Sequence, residues 1–142
     1  MPGRTLEADT GLDYIASPNM LLFMWMLAAG KLPSHITGTT LLARIEAGTA
    51  PTILDVRSQR EFAHGHVPGA LHIPFWTVLT RLSTIPTSHA EPVVVYCGHG
   101  PRAYIAGAAL WVSGFRRVVY LKGHMLKWRQ AGLPQDVGSG SR

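Results

Sequence analysis

The chain has one cysteine, Cys97, in 142 residues. A single thiol excludes an internal disulfide and any zinc site built on several thiolates. It gives no sign of an oxidising compartment either, and the reducing cytoplasm is the setting in which a lone thiol stays free. Charge is sparse as well: 15% of residues are charged, and 13 basic residues against 8 acidic ones leave a net +5. No dense basic run is interleaved with aromatics, so the pattern argues against nucleic-acid binding. The excess fits ordinary solubility, with steering of a small anionic substrate as the sharper alternative.

A membrane-spanning run is missing too. The longest apolar stretch, residues 20–29 (MLLFMWMLAA), falls well short of the ~20 residues a transmembrane helix needs. Glu7, Asp9 and Asp13 outnumber Arg4 ahead of it, which is the wrong charge for a secretory signal. The preferred reading is a helix packed on the domain or on a second copy of the chain. Docking on a membrane surface through Phe23 and Trp25, with Lys31 alongside, ranks second, and a cleaved signal third.

What the chain does contain is 46% apolar residues, 15 glycines and 10 prolines. That is a globular composition with many tight turns, long enough for one domain and one core. Residues 1–32 read as a leader carrying the apolar segment, 33–134 as the domain, and 135–142 (QDVGSGSR) as a flexible tail.

From Pro33 onward, short apolar strands alternate with short helices. Residues 35–37 suggest a strand, and Thr39 or Thr40 can cap a helix that runs to Ala47 before Gly48. A strand at 52–56 is apolar enough to be buried on both faces. Ser58 and Glu61 have capping-box spacing at the start of a short helix. Residues 71–73 read as a strand, 76–82 as a helix and 83–91 as a loop. Pro92-Val93-Val94-Val95-Tyr96 is the clearest strand, and 102–113 the clearest helix, with Pro101 suited to its first turn. A last strand at 118–121 and a helix at 125–130 complete the pattern. Repeated strand–helix units imply a parallel sheet covered on both faces, with ligands beyond the carboxyl ends of the strands. Cys97 follows the best strand directly.

The sequence Cys97-Gly98-His99-Gly100-Pro101-Arg102 suits one chemical purpose. A thiol attacks as its thiolate, and an ordinary cysteine, with a pKa near ~8.5, is mostly protonated at neutral pH. Gly98 and Gly100 let the backbone curl so that successive N–H groups form an anion nest. The helix that follows points its positive end there. Arg102 adds a permanent charge with a fork suited to an oxyanion. A lone cysteine is ordinarily a small buried hydrophobe. Here the strand-to-turn position, the two glycines and the arginine favour a reactive one.

Asp55-Val56-Arg57, Glu61-Phe62 and Gly65-His66-Val67-Pro68-Gly69-Ala70 resemble the stretch that opens many rhodanese domains. Val95-Tyr96-Cys97-Gly98-His99-Gly100-Pro101-Arg102-Ala103 resembles their active-site strand and loop. Tyr120-Leu121-Lys122-Gly123-His124-Met125-Leu126-Lys127-Trp128 is similar to the segment that closes their fold. The motifs fall in the family's order over roughly residues 34–134.

The resemblance implies an α/β fold: a rhodanese-like, five-stranded parallel sheet with helices on both faces, here with an N-terminal apolar extension. It also implies a sulfurtransferase. Cys97 would take a sulfane sulfur from thiosulfate or a similar small anion, and pass it to cyanide or a thiol through a persulfide. The loop carrying Gly98, His99, Gly100, Arg102 and Ala103 would hold the anion. Arg102 would brace the loop or grip the anion, Arg57 would lie close by, and Asp55 would fix a backbone or arginine contact. No metal or other cofactor is implied. His64 and His66 have the look of a metal pair, but the resemblance makes His66 a turn residue. His99 is either a proton relay or an exposed loop side chain. Trp76, Trp111 and Trp128 read as packing, with Trp76 as a candidate border of the pocket.

Phosphatases of related fold and arsenate reductases have seven residues from cysteine to arginine, against six here, so the loop favours sulfur over phosphate. Two positions depart from the family. Pro101 stands where an N–H is common, and proline has none; Ala103 replaces a frequent hydroxyl residue. The alternatives to an enzyme are a persulfide carrier serving a partner protein, or an interaction domain with little turnover.

Overall fold

The computed structural model describes residues 34–138. The 1–32 leader with its apolar segment, and the tail from 139, lie outside the described residues. Strand β4 (Val93–Tyr96) is the centre of the sheet, flanked by β2 (Thr52–Asp55) and β5 (Val118–Leu121), with β3 (Leu71–His72) and β1 (Ser34–Ile36) at the edges. All pairings are parallel, in the order β1-β5-β4-β2-β3. β4 is buried at all four residues, as a β-branched, uncharged strand between two helical layers should be.

Side-chain alternation distributes the strands between two faces. Ile53, Val94, Tyr96 and Leu121 pack with Leu41, Phe62, Met125 and Trp128, from α1 (Gly38–Glu46), α2 (Gln59–His64) and α4 (His124–Gln130). Residues of the other parity meet α3 (Pro101–Val112), whose small Ala103, Ala106 and Gly107 let the helix approach β4 and β5 closely. The expected α/β architecture, a five-stranded parallel sheet with helices on both faces, is what the chain adopts.

Several local expectations need correction. The cap of α1 is Thr37 in place of Thr39 or Thr40: its hydroxyl accepts the Thr40 N–H at 3.2 Å. The helix expected at 76–82 is two 3₁₀ segments, Phe75–Thr80 and Leu82–Thr84. Thr77, Thr80 and Thr84 each turn a hydroxyl back onto the carbonyl three residues earlier, at 2.7–2.9 Å, which competes with regular helix. The tail does not come loose at 135. Asp136 exchanges two backbone hydrogen bonds with His66, both 2.9 Å, and the Gly138 N–H donates to Ala63 O at 2.8 Å.

Candidate active site

β4 ends at Tyr96, so Cys97 is the first residue beyond the carboxyl edge of the sheet. Asp55 of β2 lies in register with Tyr96, which brings Arg57 to the same edge. Between Cys97 and Pro101 the chain makes one tight turn. The carbonyls of Cys97 and Gly98 accept the N–H groups of Met125 and Leu126, both at 3.0 Å. No peptide bond among the described residues is cis; in trans planes the N–H opposes its carbonyl. The N–H groups of Gly98 and His99 therefore face away from α4. The Gly100 N–H donates to Cys97 Sγ at 2.9 Å. Gly100 has φ 138°, a backbone that a side chain opposes. Pro101 is the first residue of α3, where a missing N–H breaks no helical bond. The Ala103 N–H closes that first turn on Gly100 O at 3.1 Å.

Arg102 is held. Its two terminal nitrogens donate to both oxygens of Glu61, at 2.7 and 3.0 Å, and the guanidinium lies against Gly98, where a Cβ would come within 3.1 Å of it. Glu61 also completes the capping box of α2, accepting the Ser58 N–H at 3.0 Å and the Ser58 hydroxyl at 2.9 Å. The Arg102 hydrogen bonds, aided by those of Ser58, overcome partial burial and lower the Glu61 carboxyl to a pKa of about 2. Arg102 is raised by the same pairing.

Arg57 and Asp55 form a second, fully buried unit. The Arg57 guanidinium donates to Asp55 at 2.7 Å and to Gly65 O at 2.8 Å, and lies 5.6 Å from the Tyr96 ring centre. Burial works against its charge, but the bonds and charge of Asp55 outweigh that and raise it. Tyr96 donates its hydroxyl to Asp55 at 2.7 Å and accepts the Val67 N–H at 3.0 Å. Burial first, and Asp55 next, push its ionisation well above the usual range.

These groups border a cavity of about 200 Å³. It is lined by Gly98, His99 and Arg102 of the loop and the first turn of α3, by Arg57 and Glu61, and by Met125, Leu126 and Arg129 of α4. Cys97 itself is fully buried next to it. A larger cavity, about 320 Å³, opens by α1 and α4 around Lys122, Lys127 and Trp128. It touches none of the loop residues and includes only His124 from the thiol's surroundings.

The structure thus brings Cys97, Gly98, His99, Gly100, Arg102, Ala103, Arg57 and Asp55 to one edge of the sheet. His99 is exposed on the cavity rim. His64 and His66 do not converge: His64 bonds to Arg60 O, and His66 to Phe62 O while stacking on the Phe62 ring. Trp128 is core, and Trp76, 63% exposed, does not line the cavity.

His124 escaped the sequence reading. Its Nδ1 accepts the Cys97 N–H at 3.3 Å, so the ring is neutral with its proton on Nε2. Burial, then the charges of His35 and His99, lower its pKa to about 4. It sits at φ 53°, and is the one non-glycine residue with positive φ among the described residues. The visible signal was a bulky residue directly after Gly123 at a strand-to-helix turn. The pairing of Glu61 with Arg102, and the place of Arg129 in the cavity lining, carry no local signal; they arise from the meeting of elements far apart in sequence.

Comparison with known proteins agrees with this geometry. The model of the rhodanese-like domain matches residues 37–131. A sulfurtransferase of Allochromatium vinosum is 35% identical over 101 residues, covering 71% of this chain and 92% of that protein. The HTH-type transcriptional regulator Rv0324 of Mycobacterium tuberculosis is 39% identical over 112 residues, which are 78% of this chain but only 48% of the regulator. Among solved structures, the Alr3790 protein from Anabaena sp. superposes with a TM-score of 0.65 at 30% identity, covering 72% of this chain and 81% of that one. The chain belongs to the rhodanese-like domain family.

Proposed function

We propose that this protein transfers a sulfane sulfur, from a small anionic donor such as thiosulfate to cyanide or a thiol, through a persulfide on Cys97. The observation that carries this reading is the Gly100 N–H aimed at Cys97 Sγ from a loop whose neighbouring N–H groups face away from α4. Such a turn offers dipoles to a thiolate, to the persulfide that replaces it, and to a departing oxyanion.

The Cys97 thiolate attacks the outer sulfur of the donor. The donor's S–S bond breaks and sulfite leaves with the electron pair. The acceptor then attacks the terminal persulfur and releases the thiolate, so one difficult transfer becomes two displacements. Neither step needs a cofactor. Gly98, His99 and Gly100 supply the amides. Arg102, committed to Glu61, braces the loop, and Arg57 with Asp55 fixes the adjoining edge of β2. A reducing compartment, the cytoplasm in the simplest case, suits a free thiol. Among the described residues no helix is long and apolar enough to cross a membrane.

A second reading, a sulfur-relay module serving a partner protein, is favoured by the similarity to about half of a longer regulator. Intact-mass measurement after thiosulfate treatment tests both. The native chain should gain one sulfur atom and Cys97→Ser none; no adduct with any sulfane donor would sink the two readings together. Rapid turnover with cyanide supports the enzyme, and a stable persulfide discharged only by a protein supports the relay.

A further inference from the structure

Helix α4 lines both cavities, with different residues. Met125, Leu126 and Arg129 border the one next to Cys97, and Lys127 and Trp128 border the larger one together with Lys122. Lys122, Lys127 and Arg129 are exposed and make no ion pair among the described residues. Leu126, between them in sequence, is 51% exposed. The carboxylates of the described residues do not answer this charge. Asp55 is bound by Arg57 and Glu61 by Arg102, and Glu46, Glu91 and Asp136 line neither cavity.

Unopposed charge of one sign draws partners of the opposite sign. An exposed leucine set among charges has the make-up of a protein interface, an apolar centre inside a polar rim. Trp128, the aromatic ring of α4, is buried, so the helix offers no platform for base stacking. A protein fits this face better than a nucleic acid. Cys97 is fully buried as well. A protein acceptor must therefore carry its thiol into the adjacent cavity, about 200 Å³, on a projecting segment.

Resting on the sulfur-relay reading, we propose that the exposed face of α4, with Lys122, is the docking surface for an acidic protein segment that bears the acceptor thiol. The step balances without a further reagent. The segment's thiolate attacks the outer sulfur of the Cys97 persulfide, and the S–S bond breaks. Its electron pair leaves on the Cys97 thiolate, and the transferred sulfur keeps its proton as the new persulfide.

The test loads the full chain with thiosulfate, removes the excess, and follows discharge of the persulfide by intact mass. The acceptors are 2-mercaptoethanol and two short peptides with one central cysteine each, flanked by glutamates in one and by lysines in the other. Comparing native and variant chains for each acceptor cancels its intrinsic thiol reactivity. At about 0.02 M salt, the double variant Lys122→Glu with Lys127→Glu should discharge to the glutamate peptide about tenfold more slowly than the native chain, and to the lysine peptide faster. Discharge to 2-mercaptoethanol should not change. At about 0.5 M salt the difference should shrink to under about twofold. Lys122→Gln with Lys127→Gln, a milder change at the same exposed positions, should give an intermediate loss.

Equal rates to the glutamate peptide in native and variant chains at low salt overturn the inference and leave sulfur transfer intact. Equal slowing of all three acceptors also overturns it, because it places the lysines in the chemistry and not in recognition. Tighter binding of a single-stranded oligonucleotide than of the glutamate peptide would assign the face to nucleic acid instead. If thiosulfate and other sulfane donors leave no sulfur on Cys97, the sulfur-transfer reading falls and the inference falls with it.

Discussion

At the scale of single residues, His124 shows what the turn after a strand can cost and what it obtains. A side chain at φ 53° is opposed by about 1–2 kcal/mol. In return, its Nδ1 accepts the buried Cys97 N–H, a donor whose loss of partner would cost about 1–3 kcal/mol. Protonating Nδ1 would remove that acceptor, consistent with a pKa lowered to about 4. The unfolded ring titrates near the ordinary histidine value of 6.5. Between pH 6.5 and 4 the unfolded state therefore binds more protons than the folded one, and stability falls as pH falls through that window. At pH 7 both rings are neutral and nothing is lost. Asparagine tolerates left-handed backbone, carries no titrating group, and offers an oxygen to the Cys97 N–H. His124→Asn should accordingly lose less stability than the native chain between pH 7 and 4.5, by roughly 1–3 kcal/mol. Urea midpoints at the two pH values measure this, and parallel losses in both proteins would refute it.

At the scale of elements, Glu61 joins two helices. One carboxylate caps α2 through Ser58 and takes Arg102 from the first turn of α3, so the active-site loop is tied to an element forty residues earlier. The capping box was legible because its spacing is local: Ser58 and Glu61 are three residues apart. The clamp was not, since nothing near residue 102 announces residue 61. For that reason Arg102 read equally as a brace or a grip, and its bidentate pairing now favours the brace. A surface pair of this kind is worth only about 0–1 kcal/mol of stability, so its main effect should fall on loop order. Arg102→Ala and Glu61→Gln should each slow sulfur uptake by Cys97 by about tenfold or more, and the double variant should be no slower than the worse single one, because both remove one contact. Stopped reaction and intact mass provide the rates. Multiplicative losses would show Arg102 acting on the substrate independently of Glu61.

At the scale of the whole molecule, the sheet was readable and its closure was not. Val93–Tyr96 and Val118–Leu121 declare themselves by β-branched, uncharged composition, and the helix after Cys97 by its alanines. Residues 135–138 read as a loose tail because QDVG has no periodicity to exploit. They are held by a backbone bridge, and backbone bonding leaves no trace in side-chain pattern. That strap covers the turn after α2: Asp136 pairs with His66, Gly138 reaches Ala63, and the buried Trp128 Nε1–H donates to Pro134 O at 2.8 Å. A Cβ on Gly65 would also collide with Gln135, so the strap sits directly on the turn whose Gly65 carbonyl accepts Arg57. Ending the chain after Leu133 removes the acceptor of the indole N–H and both bridge bonds. The orphaned indole donor alone should cost about 1–3 kcal/mol, and loosening the Gly65 turn should weaken the Arg57–Asp55 unit behind the active-site edge. Ending it after Gly138 keeps every one of these bonds and should leave the urea midpoint unchanged. The two truncations thus separate a strap from a tail: equal midpoints for both would return residues 134–138 to the status of a tail.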